Sequence, residues 1–186
     1  MDREIECSKP GSMPDDIQTL TEMAESAWNR GDQLLSLNYH LQLKEKSDEL
    51  WIVYNIGRLR TDIARTLRVV RNPVEEAYLR LARHDFEECL QRCGTDIWAM
   101  KISIRLGRVL WKLSRFEPAA ILEADKCVRK AMLVMTILAI AQLSLLSIVA
   151  AKALIATFDE IESDMRRLAH DIDEQKERLW TDALIE

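Results

Sequence analysis

The chain has little with which to make turns, holding 5 glycines and 4 prolines in 186 residues. They fall mainly at apparent joints: Pro10-Gly11, Pro14, Gly31, Pro73, Gly94 and Pro118. A sheet-rich fold needs frequent tight turns, so this scarcity points to a few long helices with short connections. The 4 cysteines, Cys7, Cys89, Cys93 and Cys127, lack the spacing of a small disulfide scaffold. The opening "MDREIECSKPGS" carries no apolar signal segment, and reduced thiols in a cytoplasmic compartment are expected. Neither sign of charge dominates: 26 basic and 31 acidic residues intermingle for a net −5. Only a weak basic string from Lys101 to Arg115 stands out, which argues against nucleic-acid binding. A phosphate loop of the form G-x-x-x-x-G-K-S/T is also missing, so no nucleotide-binding module of that kind is present.

What is there is helical periodicity. A length of 186 residues suits one domain, placed at 13–182 between a disordered tail, 1–12, and a short end, 183–186. Ser12 can cap a first helix in which Ile17, Leu20, Ala24, Ala27 and Trp28 recur at helical spacing, and Gly31 can stop it. Ser47 can cap a helix whose stripe runs Leu50, Val53, Ile56, Ile63, Leu67 and Val70. Asn72-Pro73 reads as the start of the next helix. That helix ends at Gly94, and Thr95 or Asp96 can cap one with Ile102, Leu106, Val109, Leu110 and Leu113 on a face. The segment "LSLNYHLQL" alternates Leu37, Tyr39, Leu41 and Leu43 like a strand. With no second strand to satisfy its backbone, it is expected to be helical or irregular.

From Pro118 to the end there is neither glycine nor proline, which allows one helix near 95 Å long at ~1.5 Å per residue. Helices of that length need a break or a coiled-coil partner. Toward its end Phe158, Ile161, Met165, Leu168 and Ile172 follow a 3, 4, 3, 4 spacing, a heptad seam that must pack on another helix or another chain. These residues are the candidate interface with a protein partner or a second copy. Before them, residues 131 to 151 carry no charged side chain, enough for roughly one bilayer crossing of ~20 residues. The same run suits the centre of a bundle, and the preceding amphipathic helices need such a centre. Leu133, Ile137, Ile140, Leu146 and Val149 are the candidate core or membrane-active residues of this helix. A bundle that exposes it conditionally to lipid is favoured; the alternative is a single-pass membrane protein crossing at about 131–151.

The order "FEECLQRCGTDI", "RLGRVLWKLSRFEPAAILEADKCVRKAMLVMTILAI" and "FDEIESDMRRLAHDI" is similar to helical N-terminal domains of fungal NLR-like (STAND) proteins and their HeLo-like relatives. Cys89, Leu90, Cys93, Trp111, Lys112, Lys130, Leu133 and Leu138 carry the likeness, over residues 75 to 175. The resemblance implies a multi-helix bundle and a cell-death or incompatibility effector acting at membranes. Such domains usually open with an apolar helix. Here the N-terminus is polar and departs from that pattern, so a stand-alone bundle, or one with its membrane-active segment moved to the 131–156 helix, fits the resemblance.

No catalytic constellation emerges. His84 and Cys89, five apart on a helix, point about 140° from each other, which argues against a nucleophile pair. Cys89 and Cys93 share a face but lack the tighter pairs and further ligands of a zinc site. Tryptophans 28, 51, 98, 111 and 180 read as core or interface anchors. The expectation is an all-α multi-helix bundle with a long C-terminal helix, apolar at its centre and heptad-patterned toward its end. It is read as non-enzymatic, with no cofactor, metal, nucleic acid or small-molecule substrate, and as a partner of protein or lipid membrane.

Overall fold

A computed structural model describes residues 17–70, 72–94, 97–143 and 148–183, without the side chains of 139–158, 160, 182 and 183. Among the described residues there are α-helices and no strands: α1 (Ile17–Asn29), α2 (Gln33–Lys46), α3 (Leu50–Val69), α4 (Glu75–Arg92), α5 (Ile97–Leu113), α6 (Ala120–Leu143) and α7 (Ile148–Ala183). The proposed caps Ser12, Thr95 and Asp96, and the tail 1–12, lie outside the described residues.

Gly31 stops α1 by taking a left-handed backbone, φ 80°, which only glycine adopts without strain. Asp32 then caps α2, its Oδ1 accepting the Leu35 N–H at 3.1 Å. The alternating segment is therefore helical. Ser36, Leu37, His40 and Leu43 gather on its buried face, and the Ser36 hydroxyl donates to the Ala24 carbonyl at 2.9 Å. Packing against α1 and α3 overrides the strand-like pattern. Ser47 does not cap the next helix as its sequence suggests; it closes α2, its N–H reaching the Leu43 carbonyl at 2.8 Å. Asn72 does not cap α4 either: Val74 holds the cap position without a side-chain bond, and Asn72 shapes the turn before it, its Oδ1 accepting the Val74 N–H at 2.9 Å.

Consecutive helices pack on one another. The pairing is antiparallel: Arg60 of α3 meets Asp85 of α4, while Asp48 just before α3 meets Arg92 at the end of α4. Two apolar cores result. Leu20, Leu37, Leu43, Ile52, Ile56, Leu59 and Ile63 join α1, α2 and one side of α3. The larger core runs from the other side of α3 through α4 and α5 to α6 and α7. The α5 stripe of Ile102, Leu106, Val109, Leu110 and Leu113 is buried throughout. Two stripe assignments differ: Ile17 opens α1 41% exposed, and Val70, past the end of α3, is 66% exposed.

The long C-terminal helix is α7, and it does not contain the apolar run at its centre. That run is shared between the end of α6, which stops at Leu143, and the beginning of α7, which starts at Ile148. Lys176 of α7 pairs with Asp125 of α6 at 3.1 Å, so the two helices run back along one another. Both pack on α5 around Gly107. A Cβ there would lie 3.1 Å from Val128 Cγ2 and 3.6 Å from Leu168 Cδ2, so the three helices approach closely and a larger residue would press on Val128.

Candidate functional site

Among the described residues, the register of α5, α6 and α7 carries the α6–α7 hairpin past the start of α5. Gly107 faces Ala124 and Val128 on antiparallel α6, which puts the first residue of α5, Ile97, level with about residues 136–138 of α6. On parallel α7, Arg108 pairs with Asp164 at 2.8 Å and Gln175 with Ser114 at 2.7 Å. By the same count the first turns of α7 lie beyond α5. Both helices of this hairpin therefore overhang α5, by about 8–10 Å on the α6 side.

The described side chains of α6 divide between two faces. Its inner face, Ala120, Ile121, Ala124, Val128, Ala131 and Val134, is buried. Its outer face carries Leu122, Lys126, Arg129, Lys130, Leu133 and Ile137 at spacings of three and four. Leu133 is 61% and Ile137 57% exposed. Arg129 reaches back to Asp125 at 3.0 Å, and Lys126 and Lys130 are exposed with no ion pair among the described residues. An apolar end thus sits directly above a basic belt on the same helix face.

The candidate residues of the apolar helix separate accordingly. Leu133 and Ile137 are surface residues. The side chains of Ile140, Leu146 and Val149 lie outside the described residues, as does Phe158. Along the heptad seam Met165, Leu168 and Ile172 are buried, at 0%, 4% and 0% exposure, and Ile161 is half-buried against the same core. The reading of this seam as an interface with a partner is therefore corrected: it packs on α5 and α6 of its own chain, because the hairpin folds α7 back. Among the described residues, no helix is long and apolar enough to cross a membrane, and the run expected to cross at 131–151 is divided between two helices.

Two cavities gather polar groups that the sequence keeps far apart. One, of about 200 Å³, is lined by Glu25, Trp28 and Asn29 of α1, His40 of α2, and Asn55, Arg58 and Leu59 of α3. The Arg58 guanidinium stacks on Trp28 at 5.1 Å. His40 is buried, its Nδ1 donating to the Ser36 carbonyl at 2.9 Å. That leaves Nε2 as an acceptor in the neutral ring. Burial, more than the repulsion of Arg58, pushes the imidazole below its usual range.

The second cavity, of about 340 Å³, lies between the ends of α3, α5 and α7 and is lined by Arg68, Trp111, Lys112, Arg115, Gln175, Arg178 and Leu179. Burial lowers the Lys112 ammonium, with Arg65, Arg115 and Arg68 repelling it and Asp62 partly compensating. Among the described residues the buried Trp111 indole N–H has no acceptor, an arrangement that costs about 1–3 kcal/mol. Sequence reasoning had only the weak basic string containing Lys112 and Arg115 as a signal, because Arg68 and Arg178 join it through the fold.

Cys89 and Cys127 show no activation. Burial pushes the Cys89 thiol up to about 12 and that of Cys127 up to about 11, so neither is a thiolate at neutral pH. Among the described residues no three His, Cys, Asp or Glu side chains are grouped to hold a metal. No family model matches the chain, and no curated protein or solved structure is significantly similar to it.

Proposed function

We propose that this chain is a non-enzymatic helical-bundle interaction module that docks on anionic lipid bilayers through the outer face of α6, next to the overhanging end of the α6–α7 hairpin. The observation that carries the reading is the outer face of α6, where Lys126, Arg129 and Lys130 form a belt below exposed Leu133 and Ile137. Interfacial helices bind lipid with that arrangement, apolar groups below the headgroups and cations among them. The magnitudes make binding conditional. Withdrawing a Leu or Ile side chain fully from water gives about 1.5–3 kcal/mol, and less for side chains already partly covered. Each cation near an anionic surface adds about 1 kcal/mol. Neutral lipid would hold the protein weakly, and anionic lipid appreciably better. The cell-death or incompatibility role implied by the resemblance to fungal NLR-like domains belongs to this reading as its finer statement, and it rests on the sequence alone.

Co-sedimentation with vesicles tests it. The chain should pellet with phosphatidylserine-containing vesicles and much less with pure phosphatidylcholine, and salt should release it. Leu133→Asp with Ile137→Asp should abolish pelleting while leaving the circular dichroism spectrum unchanged, since both side chains face solvent. Equal pelleting of this double variant and the parent protein would sink the reading.

A further inference from the structure

The cavity at the opposite end of α7 from the lipid-facing end has no role in that docking, and its chemistry is specific. Arg68, Lys112, Arg115 and Arg178 line it together with no carboxylate among the lining residues. Arg115 is half-neutralised by Glu75, at 2.5 Å from Nη2, and also donates from Nε to the Lys112 carbonyl at 3.0 Å. Arg178 pairs with Glu174. Arg68 and Lys112 have no ion pair among the described residues. Gathering like charges around a recess raises the potential inside it. Gln175 donates to the Ser114 hydroxyl at 2.7 Å, which in turn donates to the Trp111 carbonyl at 2.6 Å, so the wall bearing Trp111 is braced by α7.

We infer that this cavity is a binding site for a small soluble anion bearing more than one phosphate group. A polyphosphate supplies what the site lacks, negative charge for Arg68 and Lys112. The volume of about 340 Å³ equals roughly ten waters at their liquid share of ~30 Å³, enough for such a group. Its concave form, and its position across α3, α5 and α7, fit a small ligand better than the flat surface of a bilayer.

Titration calorimetry of the full chain with inorganic tripolyphosphate tests the inference. Saturable 1:1 binding is expected, and Arg68→Glu should weaken it at least tenfold. Lys112→Met should also weaken it at least tenfold without lowering the melting temperature, because it removes a buried, repelled charge. Arg30→Glu makes the same change of charge on the α1–α2 turn, outside the cavity, and should bind as the parent does. In parallel, the indole N–H resonance assigned through Trp111→Phe should shift on addition of tripolyphosphate. No saturable heat, or an equal loss in Arg30→Glu, would overturn the site. Binding confined to phosphatidic acid vesicles, with none to free tripolyphosphate, would overturn the assignment to a soluble ligand.

Discussion

His40 sits where α1, α2 and α3 meet, and its protonation is coupled to folding. Burial chiefly depresses its pKa below 6.5, and Arg58 adds to this, whereas the Ser36 carbonyl and Glu25 oppose it. The folded chain thus keeps the ring neutral at pH values where the unfolded chain, titrating near 6.5, already binds a proton. Stability must then fall as pH drops through about 6.5. Melting temperatures at pH 7.5 and 6.0, above the usual carboxylate range, should show this loss. In His40→Asn, which can keep a donor near Ser36, the loss should shrink; an unchanged pH slope would show that His40 is not its source. The buried Asp85 raises a related issue of uncompensated charge. Its carboxylate accepts from Arg60 Nη1 at 2.7 Å, and the side chains are only 3% and 15% exposed. Burial nevertheless lifts its pKa, with Arg60 acting against the rise. Arg60→Ala would leave the carboxylate buried and unpaired, a loss of about 3–5 kcal/mol. Urea denaturation should find Arg60→Met with Asp85→Leu closer to the parent than Arg60→Ala alone.

At the scale of helices, α6 and α7 divide their apolar residues between two tasks. Leu168 packs into the core beside Gly107, whereas Leu133 on α6 faces solvent. The same substitution should therefore separate them. Leu168→Ala should cost about 2–5 kcal/mol, as truncation in a packed core does, and Leu133→Ala should stay within about 0.5 kcal/mol of the parent. Chemical denaturation of both variants measures the difference, and equal losses would contradict the assignment of faces. Gly107 belongs to this scale too. Its lack of a Cβ lets α6 and α7 converge on α5, so the orientation of the overhanging end depends on a residue remote from it.

Across the whole molecule, stability is divided between two cores that share α3. Among the described residues, α1 and α2 pack on each other and on α3, and touch the rest of the bundle more sparsely, through contacts such as the Lys44–Glu88 ion pair with α4 at 2.7 Å. The larger core is fed by five helices, α3 to α7. Local opening follows such differences in packing. Native-state hydrogen exchange should find the amides of α1 and α2 opening at lower free energy than those buried in α4 and α5. Uniform protection across all helices would show instead that the two cores unfold as one unit.

Helical class, and much of the placement of helices, followed from the sequence by itself. The scarcity of Gly and Pro, the α5 stripe of Ile102, Leu106, Val109, Leu110 and Leu113, and the stop at Gly31 are local signals that packing reinforces. The α2 segment was ambiguous because a short alternating pattern is settled by the face it buries, and that face exists only once α1 and α3 are in place. The heptad seam of Met165, Leu168 and Ile172 announced that it needed a neighbour. It could not announce that the neighbour was its own α5, since periodicity specifies a buried face and not what covers it. For the same reason the uncharged run 131–151 did not reveal that its residues divide between α6 and α7, or that Leu133 and Ile137 would be left in water. The basic cavity was the least legible feature. Arg68, Lys112 and Arg178 stand on three different helices, and only tertiary packing brings them around one space, where their mutual repulsion gives it a chemical character that no linear pattern contains.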